Sequence, residues 1–458
     1  MTLSSLEPTR YVMLSPHLPC TLRREDGHES AGAVHALSTD RLLVTLPSLP
    51  SGSLLTSSDA TISLTVRFDA ERFYTFVVQP TKHDADSLEC TANAPEDKAR
   101  LVDLLGLVRK GQHITLCATQ DVEASDRYTG FSDIALRPKA LPEMAWDDVD
   151  TSTTFLGRKI PYPILITGMT GGITQGAEIN RRLALAAQHF GIPMGVGSQR
   201  VALENPSHAP IFAVKTYAPN LFLIGNVGIA QIRSRHATQD CQRAVHMIGA
   251  DALAIHVNVL QEVVQVEGDR DFRDIFRSIE KVVRHLDVPV MIKEVGCGID
   301  VETAKRLAEI GVAAIDCGGK GGTSWSLIEG ARAKSPVTQS IGQTFRDWGI
   351  PTALSVALVR KALPHMPLVA TGGMRDGLMV AKAMALGATV CGIGLPIFKA
   401  ALDSDEGPFS VLETFTKGLK TAMLCSGTAQ ISGLKHRLVV KKNFQEALSD
   451  LEEQHILA

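Results

Sequence analysis

The chain has 458 residues, 45% of them hydrophobic and 21% charged, the balance of an ordinary folded protein with enough length for two domains. A formal net charge of -3 and no basic stripe interleaved with aromatics leave no electrostatic footprint for nucleic acid. The cysteines at 20, 90, 117, 241, 297, 317, 391 and 425 form no CxxC pair, so neither a zinc site nor a disulfide framework is suggested and a cytoplasmic location is expected.

No basic-then-apolar segment opens the chain, which argues against a secretory signal. Short β-type runs at 42–47, 61–68 and 73–80 alternate with Ser/Pro/Gly turns such as 48–53, the pattern of a small antiparallel β domain. We place it at 1–95, its end a polar linker from 83–87 through 94–97, and assign 96–458 to a second domain. The β domain distantly resembles PilZ domains, which bind a cyclic dinucleotide through an Arg-rich entry and a later Asp/Asn-x-Ser-x-x-Gly turn. Arg23 and Arg24 match the entry and Ser38 the turn serine, but Ala36 stands where Asp or Asn would be and Arg41 where glycine would be. Only glycine accepts positive φ there without a Cβ penalty, so a structural or assembly role is expected instead.

A helix near Lys98–Val108 leads into Arg109, Lys110 and His113. Two permanent cations and an imidazole at a helix edge suit a diphosphate clamp; the same trio also serves as a solvated face.

From about 160 onward apolar runs alternate with stretches of helical spacing. The runs are 163–166, 193–196, 221–224, 252–255, 289–293, 313–315, 368–370 and 390–393. Helical periodicity marks 180–189, 272–286, 301–310 and 376–386. Buried strands alternating with helices specify an α/β fold, a (β/α)8 TIM barrel, with chemistry on the loops after the strands. A doubly wound sheet is the alternative; eight regular units and no GxGxxG after the first strand weigh against it. The longest uncharged run, 383–398, is too short and glycine-interrupted for a membrane span.

The polar and glycine-rich clusters follow these strands. Strand one ends in ThrGlyMetThrGlyGly 167–172. After strand four, Asn258, Gln261 and Glu262 gather two amides and one carboxylate near His256, a donor set suited to Mg²⁺ shared with a substrate phosphate; a helix-start capping segment is the other reading. Lys293 closes strand five, where it suits the electronegative edge of a reduced flavin or serves as a snorkelling lysine. Glycine-rich 316–325 follows strand six, ThrGlyGlyMetArgAspGly 371–377 strand seven and GlyIleGlyLeu 392–395 strand eight. Loops of this kind opening into helices are phosphate sites, so a phosphate-bearing cofactor is expected; turn glycines alone are the alternative.

These clusters in this order resemble type 2 isopentenyl-diphosphate isomerase, the FMN-dependent family, over about 109–440. The matching motifs are ArgLys 109–110 with His113, 150–157, MetThrGlyGly 169–172, GlyValGlySerGlnArg 195–200, AsnValGly 226–228, 256–262, 293–299, 321–325 and 371–375. The resemblance implies that Arg109, Lys110, His113, Ser198, Arg200 and His256, with Asn258, bind the diphosphate. It implies Glu262 for Mg²⁺ and Gln261 beside the isoprenoid end. It gives the FMN lining as Met169, Thr170, Ser198, Asn226, Lys293, Thr323, Gly372, Gly373, Gly394 and Leu395. The implied reaction converts isopentenyl to dimethylallyl diphosphate, with FMN reduced by NADPH acting as acid and base. The family also implies a homo-oligomer, to whose interface 444–457 is expected to contribute.

Departures are Gly168 for a common serine, Pro138 for a histidine, Met379 for an aspartate and Gly394 for an alanine, besides the extra β domain. Two other functions are the alternatives. An FMN-dependent 2-hydroxy-acid oxidoreductase needs HisGlyGlyArg after strand six, where this chain has CysGlyGlyLys 317–320. A regulatory binding protein with a drifted barrel is opposed by intact Glu262, Gln261, Lys293 and Arg109.

Overall fold

A computed structural model describes residues 12–24, 29–37, 41–45, 62–67, 73–84, 87–92, 94–169 and 174–456. By compactness the chain forms two units. The first comprises Met1–His113 with Val264–Glu267 and Glu329–Ile341, and the second the remainder.

The first unit is built on a closed antiparallel barrel of β1 (Val12–Arg24), β2 (Glu29–Leu37), β3 (Arg41–Thr45), β4 (Ile62–Arg67), β5 (Phe73–Asp84) and β6 (Ser87–Ala92). The strands run in the order β1-β2-β3-β6-β5-β4, and β1 pairs with β4 to close it. Alternate residues point inward, so Leu64 and Val66 of β4 meet Phe76 and Val78 of β5 in one buried core. Helix α1 (Pro95–Thr119) adds Leu101, Leu104 and Val108 to that core.

The structure departs from the sequence expectation at two places. The stretch expected to be a linker contains β6, which pairs with both β3 and β5 and buries Cys90 and Ala92. The helix expected to end near 108 continues to Thr119, so 109–113 lies inside it. Of the PilZ-like positions, Ser38 and the side chains of Arg24, Ala36 and Arg41 lie outside the described residues. Arg23 is exposed on β1.

The second unit is a closed parallel barrel with helices between its strands. Its strands are β7 (Ile164–Ile166), β8 (Met194–Gly195), β9 (Leu223–Gly228), β10 (Ala252–Val257), β11 (Val290–Glu294), β12 (Ala314–Asp316), β13 (Leu368–Thr371) and β14 (Val390–Ile393). They pair in sequence order, and β7 pairs with β14 to close the barrel. Each of the eight expected runs falls on one of these strands. β11, β12, β13 and β14 are buried along their whole length, which is why they read as continuous apolar runs rather than alternating ones. Leu165, Ala254, Met291, Ala314, Val369 and Val390 fill the interior, and Phe155 and Ile160 of a short hairpin pack into the same cluster.

The register fixes where the chemistry goes. Gly228, His256, Lys293 and Asp316 stand in one row across β9, β10, β11 and β12. All lie at the C-terminal ends, where the barrel presents its loops. Among the described residues no helix is long and apolar enough to cross a membrane.

Candidate active site

Two clefts open at the C-terminal ends of the second unit's strands, and they share Val295, Gly296, Gly322, Thr323 and Trp325 as a common wall. The larger spans about 580 Å³, the open solvent at its mouth included. Met169, Lys293, Thr323, Gly372, Gly373, Gly394 and Leu395 line it, which brings together seven of the residues assigned to FMN. Thr170 lies outside the described residues. Ser198 and Asn226 are not in its lining.

The floor exists because the chain is glycine at points of backbone contact. Gly372 has φ 115°, and a Cβ there would lie 2.1 Å from the Gly319 carbonyl, so only glycine lets these two loops meet. Two helices begin at this end: α3 (Gly377–Leu386), capped by the Asp376 carboxylate accepting from Met379 N at 2.7 Å, and α4 (Leu395–Asp403). Their free N–H groups and dipoles favour an anion. The cations lining the cleft are Lys293 and Arg375. A planar ring over small residues, with a phosphate toward the helix N-termini, therefore matches the chemistry of this lining, and the residues present fit FMN.

Lys293 is 7% exposed and donates to Asp316 Oδ2 at 3.3 Å and to the Glu294 carbonyl at 3.3 Å. Asp316 is fully buried; burial raises its pKa, opposed by Lys293, by the Thr371 hydroxyl and by Gly318 N–H. The pair fixes an ammonium at one edge of the cleft. Glu294, next in the chain, lines the second cleft and accepts from Gly296 N and Cys297 N, each at 2.5 Å. Burial pushes its carboxyl up to about 7, against the pull of those N–H groups.

The second cleft also takes Asn258 and Gln261 from the start of helix α2 (Val259–Val264). Asn258 Nδ2 donates to Gln261 Oε1 at 3.1 Å and to Glu262 Oε1 at 3.0 Å, while Asp269 N donates to Glu262 Oε2 at 2.9 Å. The Asn258 side-chain oxygen, Oδ1, is buried without a hydrogen-bond partner, an acceptor left for something else to satisfy. One carboxylate beside one free amide oxygen fits Mg²⁺, which keeps most of its shell as water and phosphate. No cluster of three or more His, Cys, Asp or Glu able to hold a metal occurs among the described residues.

Glu262 and the remaining assigned residues lie outside both linings. His256 Nδ1 is 2.8 Å from Asn226 Oδ1, and Asn226 N donates to Gln199 Oε1 at 2.8 Å. Arg200 Nε donates to Glu204 at 2.7 Å. Arg109, Lys110 and His113 belong to the first unit. There His113 Nε2 is 2.9 Å from Glu329 Oε1, and Arg109 Nη1 is 3.9 Å from Glu267 Oε1. Arg332 joins the two glutamates, reaching Glu267 at 2.9 Å and also pairing with Glu329. Burial lowers the His113 pKa to about 4, although Glu329 pulls it upward, so the imidazole is neutral at ordinary pH. Sequence reasoning missed Glu267, Glu329 and Arg332. Residues 113 and 329 are 216 positions apart, so no local pattern could have paired them.

The departures have local explanations. A Cβ at Gly168 would lie 1.9 Å from the Val196 carbonyl, so a serine does not fit this backbone. At Gly394 a Cβ would meet Met169 Sδ at 2.9 Å, a contact that a flexible side chain can relieve. Met379 supplies only its N–H to the Asp376 cap, and Pro138 is exposed.

Comparison with known proteins agrees with this geometry. A family model described as FMN-dependent dehydrogenase matches residues 110–260 and 232–441. Isopentenyl-diphosphate delta-isomerase of Nostoc sp. is 44% identical over 328 residues, covering 72% of this chain and 94% of that protein. The enzymes of the same name from Thermococcus kodakarensis and Cronobacter sakazakii are 44% and 42% identical, over 72% and 74% of this chain and 90% and 98% of theirs. Among solved structures, a mutant flavocytochrome b2 aligns with a TM-score of 0.53 at 18% identity over 76% of this chain and 86% of its own. A mandelate oxidase aligns at 0.50 and 21% over 72% and 95%; both likenesses describe the fold. Barrel, cleft and relatives agree: the chain belongs to the type 2, FMN-dependent family of isopentenyl-diphosphate delta-isomerases, enzymes of isoprenoid biosynthesis.

Proposed function

We propose that this protein interconverts isopentenyl and dimethylallyl diphosphate with FMN in the larger cleft and Mg²⁺ at Glu262. The observation that carries the reading is the larger cleft itself. Its glycine floor, its two helix N-termini and the Lys293–Asp316 pair lie together at the C-terminal end of one barrel. When bound, FMN reduced by NADPH supplies the proton transfers that move the double bond without net redox change. The chain's own residues do the rest. Lys293, held by Asp316, would offer its amine to the bound flavin. Gln261, which lines the second cleft, would meet the isoprenoid end of the substrate. Glu262, its two oxygens steadied by Asn258 and Asp269, offers the carboxylate for Mg²⁺. Arg109, Lys110, His113, Ser198, Arg200 and His256, with Asn258, are the residues we assign to the diphosphate.

Oxidation of a 2-hydroxy acid, the other chemistry of such barrels, needs a base at the strand-six loop. Cys317 there is fully buried and its thiol is pushed up to about 12 by burial, so it stays protonated and cannot serve.

The test is anaerobic incubation of the purified protein with FMN, NADPH, Mg²⁺ and isopentenyl diphosphate, with Glu262→Gln alongside. Dimethylallyl diphosphate should form, and the variant should lose roughly 100-fold or more, as for loss of a metal that stabilises phosphate charge. Bound FMN without product would overturn the assignment of substrate.

A further inference from the structure

Residues 120–129 form a strap tied along the wall that the two clefts share. Ala124 N donates to the Gly322 carbonyl at 2.9 Å, and Ser324 N to the Val122 carbonyl at 2.7 Å. Between them Glu123 bridges Thr323, and its carbonyl accepts from Arg346 Nε at 2.7 Å. The backbone of Glu123 is thus fixed from both sides.

Its side chain points at the cofactor cleft's arginine. The Glu123 side chain is 12% exposed; one carboxylate oxygen pairs with Arg375 Nη2 and the other lies 3.7 Å from Arg127 Nε. Of the two cations that line the cleft, Lys293 already has Asp316 as its counter-ion. Arg375 lies two residues after Gly373, at the glycine end where helix α3 begins two residues later. It is therefore the cation placed to meet a phosphate, and it already carries a carboxylate. A phosphate brought there meets a second anion at a partly exposed site, and like charges at close range repel.

We infer that Glu123 sets the cofactor affinity of this cleft: its carboxylate occupies Arg375 and opposes the phosphate of the incoming flavin. The inference rests on the FMN reading and adds to it a residue that the resemblance does not assign. Removing the charge without changing the side chain's size should strengthen binding of a phosphorylated flavin and leave a phosphate-free one unaffected.

The experiment titrates the flavin-free full-length protein with FMN and, separately, with riboflavin, following quenching of flavin fluorescence. Wild type is compared with Glu123→Gln and with Glu123→Ser, the second guarding against one poorly folding variant. For FMN, Kd should fall about tenfold, the scale of one partly screened charge contact, with riboflavin unchanged. Equal weakening of both flavins would mean that Glu123 merely holds the strap, and a selective loss of FMN would mean that it orients Arg375 for the phosphate; either result overturns the inference. Wild type that binds neither flavin would overturn the FMN reading and this inference with it, whereas wild type that binds FMN with no gain in the variants would overturn this inference alone.

Discussion

Glu294 occupies a place in the fold that favours its protonated form, because burial raises its carboxyl from 4.5 to about 7. The unfolded chain releases that proton near 4.5, so the stability contributed by this group is full below that pH and is lost as pH rises toward 7. The loss amounts to about 3 kcal/mol at most. Glu294→Gln keeps a carbonyl for the Gly296 and Cys297 N–H groups and has nothing to titrate. Its melting temperature relative to wild type should therefore climb between pH 5 and pH 8, and a constant offset would show that the carboxyl does not titrate in that window. Gly168 gives a second test at this scale. Restoring the family's common serine places a Cβ 1.9 Å from the Val196 carbonyl, a clash that only backbone movement relieves. Gly168→Ser should cost about 1–3 kcal/mol in urea unfolding, the range for overpacking; an unchanged midpoint would mean that this loop moves freely.

Helix α3 is specified at both ends. Asp376 accepts from Met379 N at the start, and Gly387 at the end takes φ 102°, a left-handed cap that favours glycine. Asp376→Ala should cost about 1 kcal/mol by leaving an N–H of the first turn unsatisfied, read as a drop in melting temperature. Such elements were legible in the sequence because their signals are local: cap residues for helices, and unbroken apolar runs for strands buried on both faces. The strands β1, β2 and β6 were not legible, for equally local reasons. In β1 the pairing with β2 shifts between Met13 and Leu18, around Pro16, and a proline at such an irregularity breaks the alternation that marks a strand. β6 does carry that alternation, Leu88, Cys90 and Ala92 against Ser87, Glu89 and Thr91, but over only six residues set between polar stretches, so it reads as part of a polar linker. The site divides the same way. Glycine loops and the cluster at 256–262 announce themselves by composition, whereas the carboxylates on Arg375 and His113 come from segments remote in the chain.

The two units have separate cores, one around Phe76 in the first barrel and one around Met291 in the second. Each also carries its own titrating group: His113 in the first unit, Glu294 in the second. Their signs are opposite. His113 is lowered from 6.5 to about 4, so the stability it confers is present above 6.5 and is lost as pH falls toward 4. Lowering the pH should therefore weaken the first unit and strengthen the second through these groups, each by about 3 kcal/mol at most. The chain supplies its own probe for separating them. All three tryptophans, Trp146, Trp325 and Trp348, lie in the second unit, so tryptophan fluorescence follows that unit while far-UV circular dichroism follows both. Thermal unfolding should show two transitions by circular dichroism, only one of them visible by fluorescence. The cofactor cleft is lined wholly by second-unit residues. FMN at a hundredfold excess over Kd should then raise the fluorescence-detected transition by the equivalent of about 2.7 kcal/mol and leave the other in place. Coincident transitions that move together with FMN would mean that the two units unfold as one cooperative body, with the extra β domain contributing to the stability of the catalytic barrel.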